Sequence, residues 1–205
     1  MNRVCVVTSR ARAYYALVSR LRRAGLPFSS VVPDSDLGDC ELVLTTAAEV
    51  AQFGGKSVAL EELDENPGIF KGQVLSRLAG EQAILVGVDP GKRMGLAVFF
   101  GQTKLAFNTF NSTGAVCSRV GAFARGVPST RLLVRVGGGN RAMAARLVEG
   151  LSREVPDATI EVVDESGTST GSSKMRGVQR DQVAAAKIAF RKGVVVSREK
   201  TRTRG

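Results

Sequence analysis

Residues 83–110, AILVGVDPGKRMGLAVFFGQTKLAFNTF, decide the fold. AILVGVD (83–89) is an unbroken apolar run ending on an acid, as a fully buried strand does, and Pro90-Gly91 turns the chain sharply after it. MGLAVFF (94–100) and TKLAFNTF (103–110) flank Gly101-Gln102, a two-residue hairpin signal with glycine first. Three antiparallel strands in succession follow from this spacing. Downstream the rhythm changes. Residues 111–126 predict a helix capped by Asn111 or Ser112, and 130–137 a fourth strand. Residues 140–154 predict a second helix with Asn140 as its N-cap, and ATIEVVD (158–164) a fifth strand. A polar Gly/Ser-rich loop with basic residues (165–180) leads to a last helix over 181–193, then to a short apolar piece with a basic tail. The order is three hairpin-linked strands, then two strands reached through crossover helices.

The first 80 residues alternate differently. RVCVVTS (3–9), PFSSVVP (27–33), CELVLTT (40–46) and KSVALEEL (56–63) are strand candidates, and 11–25 is a helix with Ala13, Leu17, Leu21 and Ala24 on one face and Gly25 as its C-cap. A short helix near 47–52 and another over 66–80 complete a small, largely parallel α/β domain. The turn after the first strand, Thr8-Ser9-Arg10-Ala11-Arg12, lacks the glycines of a dinucleotide fingerprint. The strand ends Thr8-Ser9 and Thr45-Thr46 lack the acids of a phosphate-accepting receiver. An interaction or substrate-positioning module is the expectation for residues 1–80, with the second domain spanning 81–205.

Charge divides the same way. Residues 1–80 hold 9 Lys+Arg and 9 Asp+Glu; residues 81–205 hold 20 and 10, the whole of the +10 net charge. A basic half beside a neutral half points to a polyanion, with nucleic acid the leading partner. With no Trp and aromatics at 5%, backbone contacts suit it better than base stacking. The absence of any apolar run near the ~20 residues of a membrane helix, and of a signal-peptide pattern, gives the expectation of a cytoplasmic protein without a membrane partner; a homodimer is compatible with it. Three cysteines, odd in number and in no CxxC pair, read as reduced thiols. The chain has no histidine, which excludes Ser-His-Asp and Cys-His catalysis and leaves acid–base or metal chemistry to carboxylates.

Those carboxylates fall where such chemistry needs them. Asp89 ends a buried strand, at the carboxyl edge where open α/β sheets bind ligands. Asp164 and Glu165 end the fifth strand, and alternation sends them to opposite sides, so only one easily joins Asp89. Asp181 shares a helical face with Ala184, Ala185 and Ile188, though an acid opening a helix is also favoured by capping and the macrodipole. Carboxylates converging in a cleft repel one another unless a cation is present. Mg²⁺ or Mn²⁺ suits oxygen ligands and retains water for attack on a phosphodiester. The metal-ligand candidates are therefore Asp89, Asp164, Glu165 and Asp181. Lys92, Arg93, Lys174, Arg176 and Arg180 lie in neighbouring loops as phosphate contacts. Gly138, Gly139 and Asn140 form a strand-to-helix turn that either holds a phosphate or simply connects.

Three motifs carry a resemblance. Gly87-Val88-Asp89-Pro90-Gly91-Lys92-Arg93-Met94-Gly95 resembles the first-strand motif of the RuvC and YqgF nuclease families. Val163-Asp164-Glu165-Ser166-Gly167-Thr168-Ser169 is similar to the Asp-Glu-x-x-Thr-Ser motif of YqgF proteins. Arg180-Asp181-Gln182 with its Ala-rich continuation resembles their closing helix. Arg135-Val136-Gly137 stands where RuvC proteins place a glutamate, which favours the YqgF-like arrangement. The resemblance implies an RNase H-like α/β fold, a mixed five-stranded sheet with flanking helices. It implies a divalent-metal-dependent endonuclease with catalytic Asp89, Glu165 and Asp181, acting on branched DNA such as Holliday junctions or on precursor rRNA. The first motif is one residue shorter than usual and Ser166 replaces an arginine, so a nucleic-acid-binding or scaffolding protein with the same fold is the second expectation.

Overall fold

A computed structural model describes residues 4–164 and 177–197, and the chain divides into two compact units, Met1–Glu81 and Gln82–Gly205. The first unit contains β1 (Val4–Val6), α1 (Ala11–Ala24), β2 (Ser29–Ser30), β3 (Leu42–Thr45), β4 (Ser57–Ala59) and α2 (Pro67–Ala79). Its sheet runs β2-β1-β3-β4 with every pairing parallel. Ala13, Leu17, Leu21 and Ala24 are buried along α1, and Leu17, Leu21 and Ala24 pack with Val4, Val6, Leu42, Leu44, Phe70 and Val74 into one core. Asn66 caps α2, its side chain accepting from the Gly68 and Ile69 amides.

One expectation about this unit is corrected. Cys5 and Cys40 are joined as a disulfide with their Cα atoms 5.9 Å apart, whereas Cys117 is free and buried. Counting cysteines carries no information about partners 35 residues apart. Cys5 lies on the sheet face away from the main core, with Val7, Val43 and Cys40, so the fold alone brings the two together.

The second unit contains β5 (Ile84–Pro90), β6 (Met94–Phe100), β7 (Thr103–Phe110), α3 (Thr113–Gly126), β8 (Leu132–Gly137), α4 (Arg141–Glu154), β9 (Thr159–Val163), α5 (Gly177–Ala189) and β10 (Val194–Ser197). The sheet order is β10-β9-β8-β5-β6-β7. β5, β6 and β7 are antiparallel neighbours, β8 and β9 run parallel to β5, and β10 returns antiparallel to β9. The sheet is therefore mixed, with six strands rather than five. Val194-Val195-Val196 is too short for its period to reveal a strand, and it becomes one by pairing with the edge that β9 leaves open. The last helix also starts earlier than expected, at Gly177 instead of Asp181.

Helices cover both faces of this sheet. Ala185 and Ala189 of α5 pack against Ala97 and Phe99. The opposite face presents Val86, Val88, Leu96, Val98, Val134, Val136 and Ile160, all fully buried, beneath α3 and α4, which pack on one another. Glycine lets α5 come close. A Cβ on Gly87 would run into the Ala185 carbonyl oxygen, and one on Gly95 into that of Asp181. None of the described helices is long and apolar enough to cross a membrane.

Candidate metal centre and nucleic-acid interface

Register builds the site. Asp89 pairs with Gly95 and Gly95 with Thr109 across β5, β6 and β7, and paired residues of neighbouring strands point to the same face. Gly95 leaves a gap in that row, and the backbone of α5 at Asp181 fills it. Asp89 and Asp181 are therefore brought to the same end of one sheet face. The turn beyond Asp89 is tight, with the Gly91 N–H donating to the Asp89 carbonyl at 3.0 Å.

Asp181 is the most informative of these residues. It lies in the second turn of α5, four residues after Gly177, so first-turn capping and dipole effects do not account for it. Its side chain is 19% exposed, and its Oδ2 is buried without a hydrogen-bond partner, as is Thr109 Oγ1. Arg93 Nη2 stands 3.3 Å from that Oδ2. The pair thus has ion-pair distance without hydrogen-bond geometry, so the buried oxygen retains unused acceptor capacity.

Further along the sheet, Arg135 and Glu161 occupy the same face as Asp89. They pair by register between β8 and β9, and Arg135 Nε donates to Glu161 Oε2 at 2.8 Å. Arg135 Nη1 also donates to the Ala189 carbonyl at 2.7 Å, and the Gly193 amide donates to Glu161 Oε2 at 3.0 Å. Burial pushes the Glu161 pKa up, but the hydrogen bonds from Arg135 and Gly193 and the nearby positive charges outweigh it, leaving the pKa low. The ion pair ties β8 and β9 to the end of α5.

Asp164 is exposed just past β9. Its carbonyl accepts from Arg191 Nη1 at 3.0 Å. Glu165, Lys174 and Arg176 lie outside the described residues. Among the described residues no group of three or more His, Cys, Asp or Glu stands close enough to hold a metal ion. Asp89 and Asp181 nonetheless fit part of an oxygen-ligated divalent site: both are hard donors, and one carries an orphaned buried oxygen.

The basic candidates differ in their surroundings. Lys92, Arg93 and Arg180 are exposed. The Gly138 N–H donates to the Val163 carbonyl at 2.9 Å, and Asn140 Oδ1 caps α4 by accepting from the Met143 amide at 3.1 Å. Gly139, also exposed, lies between them in the strand-to-helix turn. Two cations were missed. Arg141 and Lys192 line an open cleft of about 560 Å³ with Gly138, Val162, Val163, Asp164, Gly193 and Val194. For Arg141 the signal was available, since it directly follows the Asn140 cap; Lys192 lies between α5 and β10, inside the helix that the sequence predicts over 181–193.

The first unit holds a site that sequence reasoning also missed. Glu49 is buried at the carboxyl ends of β1 and β3. It accepts from Thr8 Oγ1 at 2.6 Å, Ser9 N at 2.9 Å, Ser9 Oγ at 2.6 Å, Thr45 Oγ1 at 3.1 Å and Thr46 Oγ1 at 2.7 Å. Burial raises its pKa, yet the hydrogen bonds from Ser9, Thr8 and Thr46 more than reverse this, and the net shift is strongly downward. Neighbouring strands of an open α/β sheet bind ligands at such an edge; here the chain's own carboxylate occupies it.

The chain matches no family model, and no curated protein matches its sequence.

Proposed function

We propose that residues 82–205 form an RNase H-like, YqgF/RuvC-like endonuclease domain that uses Mg²⁺ or Mn²⁺ to hydrolyse phosphodiesters in structured nucleic acid, either branched DNA or precursor rRNA. The observation that carries the reading is Asp181. It is a half-buried carboxylate in the second turn of α5, its buried oxygen without a hydrogen bond, seated over the row that contains Asp89. A plain structural aspartate has no reason to be buried with spare acceptor capacity beside a second acid. The strand order is a further support: β7-β6-β5-β8-β9, with three antiparallel strands and two parallel ones, is the arrangement an RNase H-like fold requires.

In this reading Asp89 and Asp181 supply oxygen ligands, with Glu165 or Asp164 as the third carboxylate. Bound metal would lower the pKa of a coordinated water and offset charge on the leaving oxygen. Lys92, Arg93, Arg180 and the missed Arg141 and Lys192 would hold the phosphate backbone. The test is cleavage of labelled four-way DNA junctions and of structured RNA, each with Mg²⁺ and with Mn²⁺. Metal-dependent strand scission of either substrate is expected, and none on both would reject the enzyme. One observation favours a second reading, a binding or scaffolding protein that has lost turnover: Asp181 already has a protein cation, Arg93, at 3.3 Å.

A further inference from the structure

We propose that Arg93 is an exchangeable counter-ion for Asp181, displaced when a divalent metal binds and thereby released toward nucleic-acid phosphate, so that metal and polyanion bind cooperatively. The inference rests on the metal-site reading above. Its basis is the asymmetry of the pair. Asp181 Oδ2 is shut away from solvent with no hydrogen bond, whereas Arg93, 3.3 Å from it, has a side chain 48% exposed against 19% for the aspartate. The guanidinium therefore covers the carboxylate from the solvent side. It can swing outward without opening the core, while Asp181 is held in place by the close seating of α5 on Gly95.

Electrostatics then dictates when the swing occurs. A largely buried carboxylate stripped of its cation is strongly disfavoured, so Arg93 leaves only when another positive charge replaces it. A divalent oxygen-seeking ion does so with a stronger field and uses the orphaned lone pairs that the ion pair leaves idle. Released, the guanidinium stands next to exposed Lys92 in the β5–β6 turn, beside the edge that carries Asp89. The exchange also runs in reverse: a phosphate that draws Arg93 away uncovers Asp181 for the metal. Linkage requires the two effects to be equal in free energy. Arg93 is in this sense a positioning residue that couples two binding events.

Two measurements on the full chain test this. The first is Mn²⁺ affinity without nucleic acid, read from the paramagnetic resonance of the free ion. Arg93→Ala and Arg93→Gln should bind Mn²⁺ about 5- to 100-fold more tightly than the parent, the range typical of coupled sites. Arg93→Lys, which keeps the charge, should stay near the parent. Gln retains a donor for Oδ2 and guards against an Ala variant that fails to fold. The second is binding of a four-way DNA junction made uncleavable by phosphorothioate linkages. Mn²⁺ should tighten it about fivefold more in the parent than in Arg93→Gln. If the parent binds Mn²⁺ but neither neutral variant binds it more tightly, the counter-ion role is overturned and the metal site stands. An equal Mn²⁺ effect on junction binding in parent and Arg93→Gln overturns the coupling. If no form binds Mn²⁺, the metal reading and this inference fall together.

Discussion

Glu49 and Asp89 each stand at the carboxyl edge of a sheet, and they should answer the loss of a charge in opposite ways. Glu49 is saturated by hydroxyls and one amide, so it should act as a structural clamp. Glu49→Gln replaces an acceptor with a donor inside a ring of donors and should cost about 1–3 kcal/mol in urea unfolding at neutral pH. The pH dependence has a definite sign. Because the folded pKa is depressed below the ordinary glutamate value of 4.5, the stabilisation is complete above that value. It is lost only as the pH falls below it toward the folded pKa. The Gln variant should therefore lose its disadvantage in acid, and a gap between the two proteins that persists unchanged to low pH would refute the clamp. Asp89 should behave in the opposite way. Asp89→Asn removes a charge from beside Asp181, so stability in metal-free buffer should be preserved or raised. Metal affinity and cleavage should fall together, the latter by roughly a thousandfold or more. An Asn variant that is less stable without metal yet cleaves normally would make Asp89 structural.

Between strands and helices, what the sequence discloses depends on whether the signal is local. The β6–β7 hairpin is written in Gly101-Gln102, and the α3 and α4 starts in Ser112 and Asn140, whose side chains bond the Ala115 and Met143 amides. The strand identity of Val194–Ser197 is not local, because the partner is β9, some thirty residues away. The start of α5 was misplaced for a related reason: Gly177 to Arg180 look like loop residues, and helix there depends on the second half docking its alanines on Ala97 and Phe99. The Arg135–Glu161 pair could be seen as two charges on neighbouring strands but not as a bridge to the Ala189 carbonyl and the Gly193 amide. It can be tested as a tie between elements. Arg135→Met leaves Glu161 buried and unpaired, and should destabilise the second unit by about 3–5 kcal/mol. Adding Glu161→Leu should recover most of that loss. A double variant no more stable than the single would show that the pair itself, rather than the orphaned charge, sustains the packing.

At the scale of the whole chain, charge is the property that sequence conveys most directly, since it needs no tertiary contact to be read. The +10 falls entirely on residues 81–205, and five of its exposed cations, Lys92, Arg93, Arg141, Arg180 and Lys192, adjoin the strand-end turns, α5 or its C-terminal end. Sequence conveys the sign of the charge but not which cations share a surface, and so it overlooked Arg141 and Lys192, which line one cleft. If these five each neutralise a phosphate, the logarithm of duplex-DNA affinity should fall against the logarithm of salt concentration with a slope of about −4 to −5. Each cation removed should then lower the slope by about one and weaken binding similarly across sequences, because backbone contacts position without specifying. Arg141→Ala and Lys192→Ala together provide the sharpest case, since their cleft is lined by neither Asp89 nor Asp181. They should reduce the slope by about two. A salt-independent affinity would mean that the basic half is merely solvated surface. A double variant that keeps the full slope would place the phosphate path away from the cleft at β8 and β9 and along the β5–β6 turn instead.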